Sequence, residues 1–191
     1  MSRKIFSLTQ VPGQTFLMGT LVLSGLMSVS PAIAGQLRNG QTFFDHPPQL
    51  IRAATTSQAS YTPSTYQFTL QVPANAGEPL GAVRVAQVEN LDKIAFDTNR
   101  SAAFIGDSFA GGETLPLASI GGDQPNKTNE VTVVFDPPVQ PGQTITVELR
   151  AIRNPNGGIY LFGVTAFPAG QNGLGQFLGH GRLHFESGSG D

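Results

Sequence analysis

Cysteine is absent from the 191 residues, so no disulfide staples the fold and no lipidated cysteine can anchor it. Charge is scarce as well. Charged residues make up 13% of the chain, about half the usual share for a soluble domain. Much of the surface must therefore be built from Thr, Ser, Asn, Gln and Gly. Basic residues never cluster, which excludes nucleic acid as a partner, because phosphate neutralisation needs concentrated Lys and Arg. No apolar run reaches the roughly 20 residues that span a bilayer, so an integral membrane protein is not expected. Internal repeats, coiled-coil heptads and long amphipathic helices are missing too.

What is present begins with a leader. Residues 1–14 carry Arg3 and Lys4 and no acid, and residues 16–29 (FLMGTLVLSGLMSV) are apolar. Ala32-Ile33-Ala34 then offers the small residues a signal peptidase reads. This pattern predicts a cleavable signal peptide over residues 1–34 and export by the general secretory route. Arg3-Lys4 is not a twin arginine. The remaining 157 of 191 residues suffice for one domain with a single core. Taking Arg3 and Lys4 from the 11 basic residues leaves 9 against 13 acids, a net charge of about −4.

Glycine (23) and proline (14) punctuate short runs of period-two alternation, the signature of half-buried strands. Tyr66, Phe68, Leu70 and Val72 alternate with Gln67, Thr69 and Gln71. Ile145, Val147 and Leu149 oppose Thr144, Thr146, Glu148 and Arg150, while Leu183 and Phe185 oppose Arg182, His184 and Glu186. Val131, Val133 and Phe135 form a further run, and residues 159–166 are apolar on both faces. Asp136-Pro137-Pro138 is expected to stop a strand. Pro141-Gly142 suits a type II turn, and residues 154–158 (NPNGG) read as another turn. Residues 82–105 contain no Gly or Pro, and Val85, Val88, Leu91 and Ala95 keep a near-helical spacing. The Val-rich run favours strands at 82–88 and 94–96 joined by a turn at Asn90-Leu91-Asp92, with a helix as the alternative. Residues 36–48 and 106–129 read as loops, the second with a short edge strand at 115–119.

Three constellations bear on chemistry. Gly106-Asp107-Ser108 has the form of the nucleophile block of Gly-Asp-Ser esterases, in which serine attacks an ester with a histidine and its carboxylate partner. The Asp-x-x-His block that should supply those partners is missing, since Phe177, Gly181 and Phe43 stand three residues before His180, His184 and His46. The tripeptide reads as a turn. His180 and His184 are four apart, which suits zinc on a helix. On a strand they lie about 13 Å apart, too far to grip one ion. Asp97-x-Asn99-x-Ser101 opens like a calcium loop, but Ala102 and Ser108 stand where glycine and a bidentate glutamate are needed. A non-standard calcium site would draw on Asp107, Glu113 and Asp123. Asn126-Lys127-Thr128 fits the N-glycosylation pattern.

The segments YQFTLQVPANAGEPLGAVRVAQ (66–87), VVFDPPVQPGQTITVELRAIRNPNGGIYLFGVTAFPAG (133–170) and FLGHGRLHFE resemble a cyanobacterial family of exported proteins called domain of unknown function 2808. The resemblance covers residues 48–186. It implies an envelope, luminal or extracellular protein without an assigned activity, and it brings no catalytic residues.

The chain is thus expected to be all-β: an antiparallel sandwich, immunoglobulin-like or Greek-key, of about seven to nine strands after a cleavable signal peptide. The expected layout is a leader (1–34), an N-terminal extension (35–48), a sandwich domain (49–186) and a flexible tail (187–191). Expected function is that of a non-enzymatic binding or structural module of the cell envelope or exoproteome, in the periplasm, thylakoid lumen or extracellular space. Its partner would be an envelope polysaccharide or protein, with no catalytic residue, cofactor or metal. The alternatives are a serine esterase using Ser108 and a calcium-stabilised adhesion module.

Overall fold

The structure is a computed structural model and describes residues 40–90, 92–107, 109, 111–121, 129–170 and 172–187. Among them run nine strands: β1 Gln49–Thr55, β2 Ser64–Gln71, β3 Leu80–Gln87, β4 Phe96–Ile105, β5 Leu117–Ile120, β6 Glu130–Val139, β7 Thr144–Ala151, β8 Gly158–Pro168 and β9 Gln176–Phe185. They form two antiparallel sheets, ordered β1-β2-β7-β4 and β5-β6-β3-β8-β9. The all-β antiparallel sandwich expected from the alternation is what the chain adopts. Hairpins join β1 to β2, β5 to β6 and β8 to β9, while the other connections pass from one sheet to the other.

Period two explains the packing. Tyr66, Phe68 and Leu70 of β2 register against Leu149, Val147 and Ile145 of β7, and all six are wholly buried. From the opposite sheet Val83, Val85, Phe162, Val164, Leu183 and Phe185 close the core. An aromatic cluster lies at its centre: the Tyr66 ring meets Phe96, Phe162 and Phe185 at 5.6–5.7 Å between centroids. The Phe96 and Phe162 contacts are edge-to-face and the Phe185 contact is tilted, and aromatic pairs of this kind add about 0.5–1.5 kcal/mol each beyond area burial.

The Pro141-Gly142 turn forms as its sequence implies. Gln143 N–H donates to Gln140 O at 3.3 Å, and Gly142 carries the positive φ of 90° that a type II turn requires. Residues 82–87 are strand, not helix, because Val83 and Val85 point inward while Arg84 points outward. Gln87 then shapes the following turn, donating to Asp92 O (2.6 Å) and accepting Ile94 N–H (2.9 Å).

Elsewhere the structure departs from the sequence reading. Asp136-Pro137-Pro138 does not end its strand: β6 runs to Val139, and residues 135–138 bulge past Gly81, since Leu80 pairs with Val139 but Ala82 with Val134. Strand β4 is far longer than residues 94–96, extending through Asp97, Asn99 and Ser101 to Ile105. Its pairing with β7 skips from Asp97 to Ala102, so a long bulge is tolerated where local pattern gave no strand signal. Strand β1 lies at the start of the expected domain, and β5 sits two residues later at its start than expected. Within the expected N-terminal extension, Thr42 Oγ1 donates to Ala169 O (3.1 Å) and Phe44 is 3% exposed, so these residues pack on the sandwich.

Both pairs of lateral edges approach each other. Phe104 of β4 bridges Thr114, and the chain then crosses to β5 in the other sheet. On the opposite side Ala59, just after β1, makes a parallel bridge to Glu186, just after β9. Closing the edges in this way limits strand-to-strand docking by other chains.

Candidate functional site

Alternation places Gln67, Thr69, Thr146 and Glu148 on the outer face of the four-stranded sheet, where solvent is the ordinary expectation. Three of them are nonetheless buried: Gln67 is 1% exposed, Thr69 0% and Thr146 1%. The cause is the segment that leaves β4. Gly106 N–H donates to Thr144 O (2.7 Å), and Thr146 Oγ1 donates to Gly106 O (2.9 Å). Arg52 Nη2 donates to Asp107 O, and Gln67 Nε2 donates to Phe109 O at 3.2 Å. Thr69 and Thr146 share a hydroxyl hydrogen bond of 3.0 Å beneath it. This segment therefore lies as a second, polar layer across the sheet.

Between this layer and the sheet opens a cleft of about 330 Å³. Its floor holds Gln67 and Glu148, which lie opposite each other in register, with Gln67 Nε2 donating to Glu148 Oε1 at 2.6 Å. Phe104 and Phe109 supply its apolar walls, Thr56 and Thr65 one rim, and Gly111 and Gly112 the other. Phe109 is 48% exposed, and the Arg52 guanidinium carbon lies 5.5 Å from its ring centre. Two buried polar atoms have no hydrogen-bond partner among the described residues, Gln67 Oε1 and Arg52 Nε. Each belongs to a side chain whose other end holds the covering segment. Glu148 has no cationic partner within ion-pair distance among the described residues.

The cleft can accept hydrogen bonds at Glu148, offer ring faces at Phe104 and Phe109, and hold a ligand in its lee. It brings together one carboxylate and no histidine, so the described lining contains no acid–base pair.

The residues singled out in the sequence lie elsewhere. Ser108 and Asp123 are outside the described residues, as are Asn126, Lys127 and Thr128 and the leader at residues 1–34. Asp97, Asn99 and Ser101 serve the β4 bulge: Asp97 Oδ1 accepts Asn99 N–H (3.1 Å), and Ser101 Oγ donates to Asp97 O (2.8 Å). Asp107 contributes its carbonyl to Arg52, and Glu113 its carbonyl to Ile105 N–H. His180 and His184 stand on β9 with exposed side chains, opposite Gly163 and Ile159. The His46 ring donates from Nδ1 to Asn75 O at 2.9 Å. Among the described residues no three His, Asp or Glu side chains gather to hold a metal ion, and no helix is long and apolar enough to cross a membrane.

Two other surfaces compare with the cleft. On the outer face of the five-stranded sheet Ile159, Leu161 and Phe177 are exposed, and Phe177 lies across Gly163, where a Cβ would come within 3.2 Å of its ring. A second cleft of about 340 Å³, lined by Val134, Phe135, Pro138 and Phe167, occupies the β6 bulge. Neither sets a carboxylate against aromatic rings.

The class these observations define is an antiparallel β-sandwich with a polar second layer and a mixed polar and aromatic cleft on one outer face. Residues 41–185 match the family described as protein of unknown function (DUF2808), and the chain belongs to that family. No curated protein matches the sequence. Among solved structures, the chain is similar to an uncharacterized protein from Nocardia farcinica with an immunoglobulin-like fold, at 15% identity and a TM-score of 0.44, covering 71% of this chain and 97% of that one. It is also similar to BslA, a bacterial hydrophobin, at 16% identity and TM-score 0.47, covering 76% and 98%. A third likeness is to the collagen-binding domain of a Staphylococcus aureus adhesin, at 8% identity and TM-score 0.37, covering 66% and 89%. With TM-scores below 0.5, none of them carries an argument about what this chain does.

Proposed function

We propose that this protein is an exported, non-enzymatic binding module of the cell envelope or exoproteome, and that the cleft over Gln67 and Glu148 is its contact surface. The observation that carries the reading is the composition of that cleft. Among the described residues, a carboxylate without a cationic partner lies beside a buried amide and two phenylalanine rings, with no second titratable group in the lining to form a catalytic pair. Binding sites are commonly concave and aromatic-lined, with a few fixed polar groups.

Export rests on the leader at residues 1–34. Residues 35–48 and 49–186 then form the extension and the domain of the processed protein, and residues 187–191 its tail. Mass spectrometry of the exported chain is expected to give Gly35 as the first residue. A chain that keeps residues 1–34 outside the cell would contradict cleavage.

The functional test is retention of the exported protein on an envelope fraction from its own host. Wild type is expected to be retained, and Glu148→Gln and Phe109→Ala to be released, with melting temperatures unchanged. Glu148→Gln keeps an acceptor for Gln67 and Phe109 is exposed, so neither change should unfold the domain. Equal retention of all three proteins would remove the cleft from the function. Ester turnover abolished by Ser108→Ala would replace the reading with a hydrolase.

A further inference from the structure

We propose that the ligand of this cleft is a saccharide without acidic groups, its hydroxyls donating to Glu148 and Gln67 while a ring face packs on Phe109 and Phe104. The inference rests on the binding-module reading and names the chemistry of what is bound.

The polar floor is short of donors. Gln67 Nε2 is already committed to Phe109 O and Glu148 Oε1, which leaves Gln67 Oε1 and the remaining lone pairs of Glu148 as acceptors. On the rim, Thr56 Oγ1 accepts Thr65 N–H (3.0 Å) and shares a hydrogen bond with Ser64 Oγ (3.2 Å), while Thr65 Oγ1 accepts from Arg150 Nη1 (3.1 Å) and keeps its O–H as a donor that a sugar oxygen can accept. A buried acceptor without a partner costs about 1–3 kcal/mol, so a ligand that brings a donor to it is favoured. Hydroxyl groups do this.

Charge narrows the choice. The carboxylate of Glu148, with no described cation beside it, repels phosphate, sulfate and uronate groups. Arg52 and Arg150 keep their charge but lie outside the cleft lining, their guanidiniums bonded to Asp107 O and Thr65 Oγ1. A purely apolar chain would leave the carboxylate and the amide unpaired. A sugar ring combines an edge of hydroxyl donors with a face of C–H groups, and the site combines acceptors with two phenyl rings. The cleft of about 330 Å³ lies at the small end of the 300–1,000 Å³ range of ligand sites, room for about one or two sugar rings. Neutral and amino sugars share the required chemistry, and an ammonium group would gain from both Glu148 and the ring faces.

The test is affinity electrophoresis of the exported full chain in native gels containing hydroxyethyl cellulose, chitosan oligosaccharide or alginate. Retardation is expected in the neutral gel, the amino-sugar gel or both, and none in alginate; the first two arms separate the neutral source from the amino source. Glu148→Gln and Phe109→Ala should each weaken retardation about tenfold, equivalent to about 1.4 kcal/mol, whereas Phe109→Tyr retains it. Retardation by alginate alone, none by any polymer, or equal retardation of wild type and both variants would overturn the inference. Envelope treatment separates its failure from that of the broader reading. Retention lost on periodate oxidation of envelope sugars supports a saccharide. Retention that survives periodate, disappears on proteolysis of the envelope and still needs Glu148 overturns the saccharide and leaves a binding module whose ligand is protein.

Discussion

Asn154 has no accessible surface, and each of its polar groups has a partner. Its Nδ2 donates to Ser57 O (3.0 Å) and Ala59 O (2.8 Å), its Oδ1 accepts the Tyr66 hydroxyl (3.0 Å), and its backbone pairs with Thr62 O and Tyr61 N–H. It ties the β1–β2 connection to the turn before β8. Burial of Tyr66, reinforced by Tyr160 nearby, pushes the Tyr66 phenol well above the usual range and keeps it a donor to Asn154. Asn154→Ala would strand several of these groups and is expected to destabilise by about 2–4 kcal/mol in denaturant melts. Tyr66→Phe, which strands one acceptor, should cost about 1–2 kcal/mol. Glu78 works the other way: burial, and then the Asp45 carboxylate, raise its pKa. Below the ordinary glutamate range both states hold the proton and nothing is lost. As pH rises through that value the unfolded chain ionises first, so stability falls with pH. Glu78→Gln should therefore melt above wild type at pH 7, with the gap closing near about pH 4. A variant that melts lower at both would contradict this. Sequence marked residues 154–158 as a turn but concealed the role of Asn154, because its partners lie about 90 positions away.

At the scale of elements, β9 shows why two glycines flank His180. Gly181 is buried, and a Cβ there would come 2.8 Å from Ala53 Cβ and 2.9 Å from the Phe68 ring. The absent side chain lets β1 and β9 close one side of the sandwich. Gly181→Ala is expected to cost about 1–3 kcal/mol through overpacking, read in a thermal melt, and an unchanged melt would contradict the tight fit. The strand reading of residues 180–184 set the two histidines about 13 Å apart, and both stand on β9, opposite Gly163 and Ile159. Strands with clean alternation, β2, β7 and the end of β9, were legible because local pattern and burial agree. Strand β4 was not: DTNRSAAF has no alternating apolar set, and pairing with β7 at Phe96–Asp97 and Ala102–Ile105 holds only its two ends, on either side of the bulge. The prolines of β6 misled because proline ends a regular ladder, whereas here they occupy a bulge that makes no regular pairing with β3.

Across the whole molecule, the alternation that predicts two sheets also predicts that Gln67 and Glu148 face water. Only the return of Gly106, Asp107 and Phe109 over the sheet turns that face into a second layer with a cleft, and nothing local to Gln67 announces a contact with Phe109, 42 positions on. The fold was therefore readable while the candidate site was not. Low charge fits the same picture, since a second layer built from Thr, Gln and backbone carbonyls does by hydrogen bonding what other surfaces do with Lys and Glu. The most direct test is hydrogen–deuterium exchange of the protein with and without an envelope fraction from its host. Protection concentrated in peptides covering residues 65–67 and 104–112 is the predicted result; protection confined to the β8–β9 face around Ile159, Leu161 and Phe177 would contradict it.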